Sequence, residues 1–385
     1  MSLTLGSRRA LLLCSSVASL LVACSSSAPR LVPTELTEIK PTAEIVVRWQ
    51  AAVGGAGEFV FTPAVVADSV YAAASDGTLV RFDQGGEVWR INVGRALSGG
   101  VGSDGKIVVV ATAKGEVLAY DAQDAHAVWR ATVSSEVLAA PVVGDGLVVV
   151  RSGDAQLFAF EAASGKRRWV YQRATPTLSL RSNVGVVLVP GRAVLAGYPG
   201  GKLVALALNN GVALWEVAVV QPKGATELER IADLASLPVL DGLEVCAVAY
   251  QGRVACYDIG NGSQVWSREI SSIAGMDIDA KTVYVSDAKG AVHALDRVNG
   301  ASLWKQDKLM SRSISRPLVL GKYLALGDYQ GIVHLLRSDD GSFAARIDTD
   351  GSAIAADPQR SGRAETDFVV QTQNGGLYAL SARGR

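Results

Sequence analysis

Three histidines, four cysteines and seven tryptophans are the side chains with the most chemistry on offer in this 385-residue chain. His126 falls in a turn. His293 and His334 stand third after the turn glycine of two similar phrases, "AKGAVHALD" (288–296) and "YQGIVHLLR" (329–337). Other copies of the phrase fill that slot with Val80, Leu118, Phe158, Val204 and Tyr378. A slot so indifferent to chemistry is a packing position, so neither histidine reads as a ligand or a base. The chain carries no phosphate-binding glycine loop, His-Glu metal helix or serine elbow. It predicts no catalytic residue, no metal and no cofactor. The cysteines divide by position. Cys14 lies in an apolar N-terminal run, and Cys24 closes "LVAC", the pattern in which a bacterial lipoprotein is cut before a cysteine whose thiol is acylated. Cys246 and Cys256 flank the turn "AYQGR". A loop of Tyr250–Gly252 pairs Ala249 with Arg253 and sets the two thiols face to face, whereas a two-residue loop offsets them and leaves them reduced. An oxidising compartment favours the disulfide.

The elements around these residues repeat. "SDGTLVRFD" (75–83), "AKGEVLAYD" (113–121), "GDAQLFAFE" (153–161) and "PGGKLVALA" (199–207) precede "YQGRVACYD" (250–258), the two histidine phrases and "QNGGLYALS" (373–381). Each sets a turn residue, usually glycine, before an alternating apolar strand. Trp49, Trp89, Trp129, Trp169, Trp215, Trp266 and Trp304 recur once per repeat, and the eighth place falls at Ala345. Ahead of them runs A-x-D-x-x-[ST/N]-G-x-x-x-W, a turn whose indole offers a broad apolar face to a neighbouring sheet. Repeats of forty to forty-five residues with four strands each predict a β-propeller. The chain opens on one lone strand, "EIVVRWQAAV", and ends on three, "SAIAA", "DFVVQTQ" and "GLYALS". The first must complete the last sheet, giving an all-β, eight-bladed propeller of four-stranded antiparallel blades with no open edge at the seam.

The organisation follows. Residues 1–23, with Arg8 and Arg9 before an apolar run, read as a lipoprotein signal peptide, and 24–43 as an acylated, extended tether rich in Ser and Pro. Residues 44–385 are one propeller domain. Ser25 after the cysteine, where Asp would favour the inner membrane, predicts anchoring on the periplasmic side of the outer membrane. With 37 basic and 37 acidic residues the chain has no charge excess for a nucleic acid. Function is expected where the repeat is interrupted. Two connections are long: "VYQRATPTLSLRSNVGVV" after Trp169 and "EVAVVQPKGATELERIADLASLPVL" after Trp215. Both run from an outermost to an innermost strand, so they should emerge side by side on one rim. "TELERIADL" predicts a short helix with Thr226 as N-cap and Glu229 at the third position. "LSLR" sets Leu178 and Leu180 on one side of an extended segment beside Arg181, apolar groups and a cation fit for protein docking.

The lipobox, "VRWQAAVGG", the eight repeats, "LSLR" and "TELERIADL" together resemble the BamB family of outer-membrane β-barrel assembly lipoproteins. The resemblance spans the whole mature chain. It implies a non-enzymatic scaffold in the BAM complex that binds the periplasmic POTRA domains of BamA and supports folding and insertion of outer-membrane β-barrels. Unfolded outer-membrane proteins are a further candidate partner, to whose β segments the blades could lend strand edges. It further implies BamA contact by Leu178, Leu180 and Arg181, with an acidic contribution from Asp233; the family's second acid is Ala235 here. The alternative is an enzyme, since the turn phrase is similar to that of eight-bladed quinoprotein (PQQ-dependent) dehydrogenases. Those need a tryptophan stacked on the quinone, and every tryptophan here is committed to a repeat position. A carbohydrate-binding propeller would need exposed aromatics, which the pattern does not show.

Overall fold

The computed structural model describes residues 32–362 and 364–384; the signal segment, Cys14 and Cys24 lie outside them. Among the described residues, strands assemble into eight four-stranded antiparallel sheets, each ordered A to D from the axis outwards. In blade 1 these are Ala64–Val66, Ser69–Ala73, Thr78–Asp83 and Gly86–Asn92. In blade 8 the outermost strand is Ala43–Ala52, paired with the C strand Gly376–Gly384 along its whole length, Ala43 opposite Gly384 and Ala52 opposite Gly376. The first strand therefore closes the ring. The seam is tightened where Val53 N–H donates to Gly375 O (2.8 Å) and Gln371 Nε2 donates to Ala73 O (2.9 Å).

One detail of blade 8 departs from expectation. "SAIAA" is not its innermost strand; that strand is only Gln359–Arg360. Ile354 N–H donates to Asp328 O and Gln373 N–H to Ala353 O, so this backbone is spent on crossing from blade 7 to blade 8. Pro358 has no N–H to offer a ladder, and pairing begins only after it.

The tryptophans act as foreseen, through a device the repeat alone does not disclose. In every blade the C–D register slips by one residue next to the tryptophan position, as where Ala159 faces Trp169 but Phe160 faces Arg167. Such a bulge re-aims a side chain. Here it turns the indole towards the next blade while the bulged residue points to solvent, which is why Val88, Val128, Leu214, Val265 and Leu303 are exposed. Six indole N–H groups donate to a carbonyl of the following blade, for example Trp129 to Ala162 (2.7 Å) and Trp169 to Leu208 (2.9 Å). The ring then lies flat on the turn glycine there. A Cβ on Gly211, whose φ is +70°, would stand 2.7 Å from Trp169. Gly211→Ala should lower stability by about 2–4 kcal/mol, from the left-handed backbone and the overpacking together, read as a fall in the chemical denaturation midpoint.

At the eighth place the reason for the missing indole is visible. Ala43 and Ile45 of the closing strand pack with Ala344 and Ala345 in one buried cluster. The entering chain occupies the space a tryptophan would need. The tether expectation for 24–43 also changes in its described part, because Thr34 N–H donates to Met310 O (3.0 Å) and Thr42 N–H to Ala344 O (2.9 Å). Residues 34–42 are docked rather than free.

Cys246 and Cys256 face each other on strands B and C of blade 5, with Ala249 N–H donating to Arg253 O across the turn, and they are joined by a disulfide. Their Cα atoms are 4.0 Å apart. Titration of the unfolded, unreduced mature chain should find no free thiol at either position, and reduction should cost about 2–3 kcal/mol for a loop this short.

Candidate functional site

The connection 172–186 joins the outermost strand of blade 3, Arg167–Tyr171, to the innermost of blade 4, Val187–Val189. The connection 219–238 does the same from Ala213–Ala218 to Val239–Asp241 of blade 5. Both cross the rim that carries the B–C turns, here called the upper rim, and they meet there.

Their junction is Asp233, only 4% exposed. Its Oδ2 accepts from Leu180 N–H (2.6 Å), in the other loop, and its Oδ1 from Gly200 N–H (2.9 Å), in the blade 4 turn. Its own carbonyl accepts from Tyr250 N–H (2.8 Å) in the blade 5 turn. One buried carboxylate thus ties two loops and one turn together. The structure gives Asp233 an internal positioning role in place of the outward acidic contact expected of it. Ala232 and Leu234 beside it are buried, as is Ala235.

That burial also explains the helix that does not form. Thr226 and Glu229 make the reciprocal capping bonds, Glu229 N–H to Thr226 Oγ1 (3.2 Å) and the Ala225 and Thr226 N–H groups to Glu229 Oε2 (2.8 and 3.1 Å). These amides hold the Glu229 carboxyl below its ordinary value. Yet the segment makes a single turn, because from Ala232 the chain must descend into the core.

What the loops present outward is mixed. Leu178 is 42% exposed and Leu180 half-buried. Leu228, on the second loop, is 67% exposed; nothing in the repeat pattern singled it out. Arg181 is exposed but held by a two-point ion pair with Glu136, Nε–Oε1 3.2 Å and Nη2–Oε2 2.9 Å. The guanidinium holds the Glu136 carboxyl below its usual range. Glu136 lies in a connection of ordinary length between blades 2 and 3, so spacing could not flag it. Behind them Tyr198 is fully buried, with Arg151 and Arg173 over its ring at 5.2 and 5.1 Å, and Arg173 is in turn clasped by Glu216. A small recess of about 90 Å³, lined by Glu136, Arg151, Asp154, Leu180, Arg181 and Asp233 among others, separates the first loop from the rim.

The histidines are elsewhere. His126 pairs with Asp124 on an exposed turn, and the nearby Asp121 oxygen already accepts from Gln123 N–H. His293 bonds Asp287 (2.9 Å). His334 is fully buried between Asp328 (3.0 Å) and Arg346, whose Nε donates to Nδ1 (3.2 Å). Burial pushes the His334 imidazole below its ordinary 6.5; Asp328 works against this, while Arg346 and Arg312 add to it. The unfolded chain therefore binds this proton first. The stability from His334 is complete above about pH 6.5 and drains away as pH falls towards the folded value. Denaturation midpoints between pH 7 and 5 should decline, and less so in His334→Gln.

These observations define an eight-bladed propeller with two long connections tied together on one rim. The sequence model of one family, described as outer membrane protein assembly factor BamB, matches residues 81–306. The outer membrane protein assembly factor BamB of Burkholderia pseudomallei is 43% identical over 373 residues, covering 96% of this chain and 97% of the relative. The crystal structure of BamB from Moraxella catarrhalis superposes with a TM-score of 0.81 at 25% identity, over 88% of this chain and all of that one. The chain belongs to the BamB family. Quinohemoprotein alcohol dehydrogenase ADHIIG from Pseudomonas putida HK5 shares the fold at 13% identity (TM-score 0.71, covering 88% of this chain and 76% of that one). That likeness concerns the architecture alone.

Proposed function

We propose that this chain is a non-enzymatic scaffold subunit of the BAM complex, lipid-anchored through Cys24 on the periplasmic side of the outer membrane. It docks on the POTRA domains of BamA and supports the folding and insertion of outer-membrane β-barrels. The observation that carries this reading is the junction at Asp233, which fixes the two long connections against each other and leaves Leu178 and Arg181 facing outward. Loops already sewn to a rigid ring lose little freedom on binding, so the surface they share is favourable for a partner. Leu178 supplies apolar area; Arg181 supplies a charge whose intramolecular partner, Glu136, lies at the surface where an incoming carboxylate can share or replace it. The quinoprotein alternative gains nothing from the site, since six of the seven indoles are bonded between blades.

Affinity purification of the tagged chain from detergent-solubilised outer membranes should bring BamA with it. An absence of BamA, or a quinone absorption band in the purified chain, would overturn this reading.

A further inference from the structure

The docked segment 34–42 has a direction. It leaves the closing strand at Ala43, which stands opposite Gly384 at the lower end of blade 8. Thr42 N–H meets Ala344 O at the lower end of the outermost strand of blade 7, Phe343–Asp348. Midway up that strand Arg346 Nη1 donates to Thr37 O (2.6 Å). Arg346 lies over the Phe343 ring (4.3 Å) and is braced by His334. Leu36 then packs, with Trp304 and Phe343, on a buried cluster that includes Leu309 and Ile314. At the upper end Thr34 N–H bonds Met310 O and Arg312 Nη1 donates to Thr34 O (3.1 Å). Arg312 is itself buried against Asp328 in the B–C turn (Nε–Oδ2 2.8 Å) and bonded to Gln330. Two arginines anchored in the blade therefore hold two successive stretches of linker backbone, and one leucine is pressed between them. Each contact is weaker alone than the set that must break together.

We infer that the outer wall of blade 7 is a guide that carries the N-terminal linker from the lower rim to the upper one. Thr34, where the guided stretch ends, then stands on the face that bears the two long connections. Without the guide, the linker would begin at Ala43 on the opposite face, with nineteen residue steps back to Cys24 and a reach of up to about 65 Å. With it, the linker begins at Thr34 on the upper rim, and the ten remaining steps reach at most about 35 Å. An anchor at Cys24 thereby keeps the upper rim within that reach of the membrane. A partner resident in that membrane meets the loops at a higher effective concentration than a loosely tethered propeller would give.

The consequence at the membrane rests on the lipid-anchor reading above; the routing does not, and the test separates them. Nitroxide labels are placed on the acylated mature chain at Pro33→Cys with Lys289→Cys, in the upper turn of blade 6, or with Val298→Cys, in its lower turn. The native disulfide and the acylated Cys24 leave only the introduced thiols to label. Pulsed dipolar spectroscopy should give a narrow 33–289 distribution, shorter than 33–298 by roughly the length of a blade strand, about 15 Å. Leu36→Ser should broaden the 33–289 distribution, and Leu36→Ser with Arg346→Gln should broaden it further. A broad 33–289 distribution in the parent, or one centred no closer than 33–298, overturns the guide whatever the chain binds. The narrow pattern in a chain that fails to bind BamA would leave the guide standing and sink the docking reading. Mass spectrometry finding Cys24 unmodified would remove the membrane consequence alone.

Discussion

The chain carrying Leu178→Ala with Arg181→Ala should lose at least a hundred-fold in affinity for the POTRA domains of BamA while folding as the parent does. Truncating an apolar anchor at the centre of an interface costs on the order of 2 kcal/mol or more. Removing one partner of an interfacial charge pair costs about 2–5 kcal/mol when that pair is buried by binding. The sum exceeds the roughly 2.7 kcal/mol that a hundred-fold loss requires. Neither residue supports the fold to a comparable degree. Leu178 is 42% exposed, and the Arg181–Glu136 pair is a surface ion pair of the kind worth about 0–1 kcal/mol. Titration calorimetry with purified domains, beside circular dichroism and a denaturation curve, checks both halves. Undiminished binding with an intact fold would move the docking surface elsewhere on the ring.

Asp233→Ala should act by a different route and show a different pattern. It removes the acceptor from two backbone N–H groups, at Leu180 and Gly200, each costing about 1–3 kcal/mol if left unpaired in a buried place. We expect a loss of about 2–5 kcal/mol locally, with the connection 172–186 opening to protease and its amides exchanging faster. Binding should fall although no contacting side chain has changed. Asp233→Asn keeps one acceptor oxygen and should fall between Asp233→Ala and the parent. The two sites are separable experimentally, because the Leu178/Arg181 variant should alter loop exchange far less than the Asp233 variant.

What the sequence disclosed follows from how far each interaction reaches along the chain. The blades are legible because one turn glycine, one alternating strand and one tryptophan recur within forty residues, and Gly211 shows why they must travel together. The juxtaposition of the two loops is legible too, since both connect an outer strand to an inner one on the same side of a ring. The inner details depend on contacts that no local pattern encodes. Asp233 looks like any acid in a polar loop, yet it is the residue the loops fold around, and its burial follows only from the apolar Ala232 and Leu234 beside it. The Thr226–Glu229 capping signal was real, but a single turn satisfied it. Glu136 and Leu228 carry no spacing signature. The docked linker joins Thr34 to Arg312 and Thr37 to Arg346 across most of the chain's length, contacts that no local pattern in 34–42 encodes.

The most direct test is a photoreactive residue at position 178 of the full-length chain in living cells, with position 243 on the lower rim as the control; Leu243 is 71% exposed. Irradiation should yield a crosslink to the POTRA domains of BamA from position 178 and none from 243. Equal crosslinking from both positions, or a crosslink from 243 alone, would contradict the two-loop docking surface.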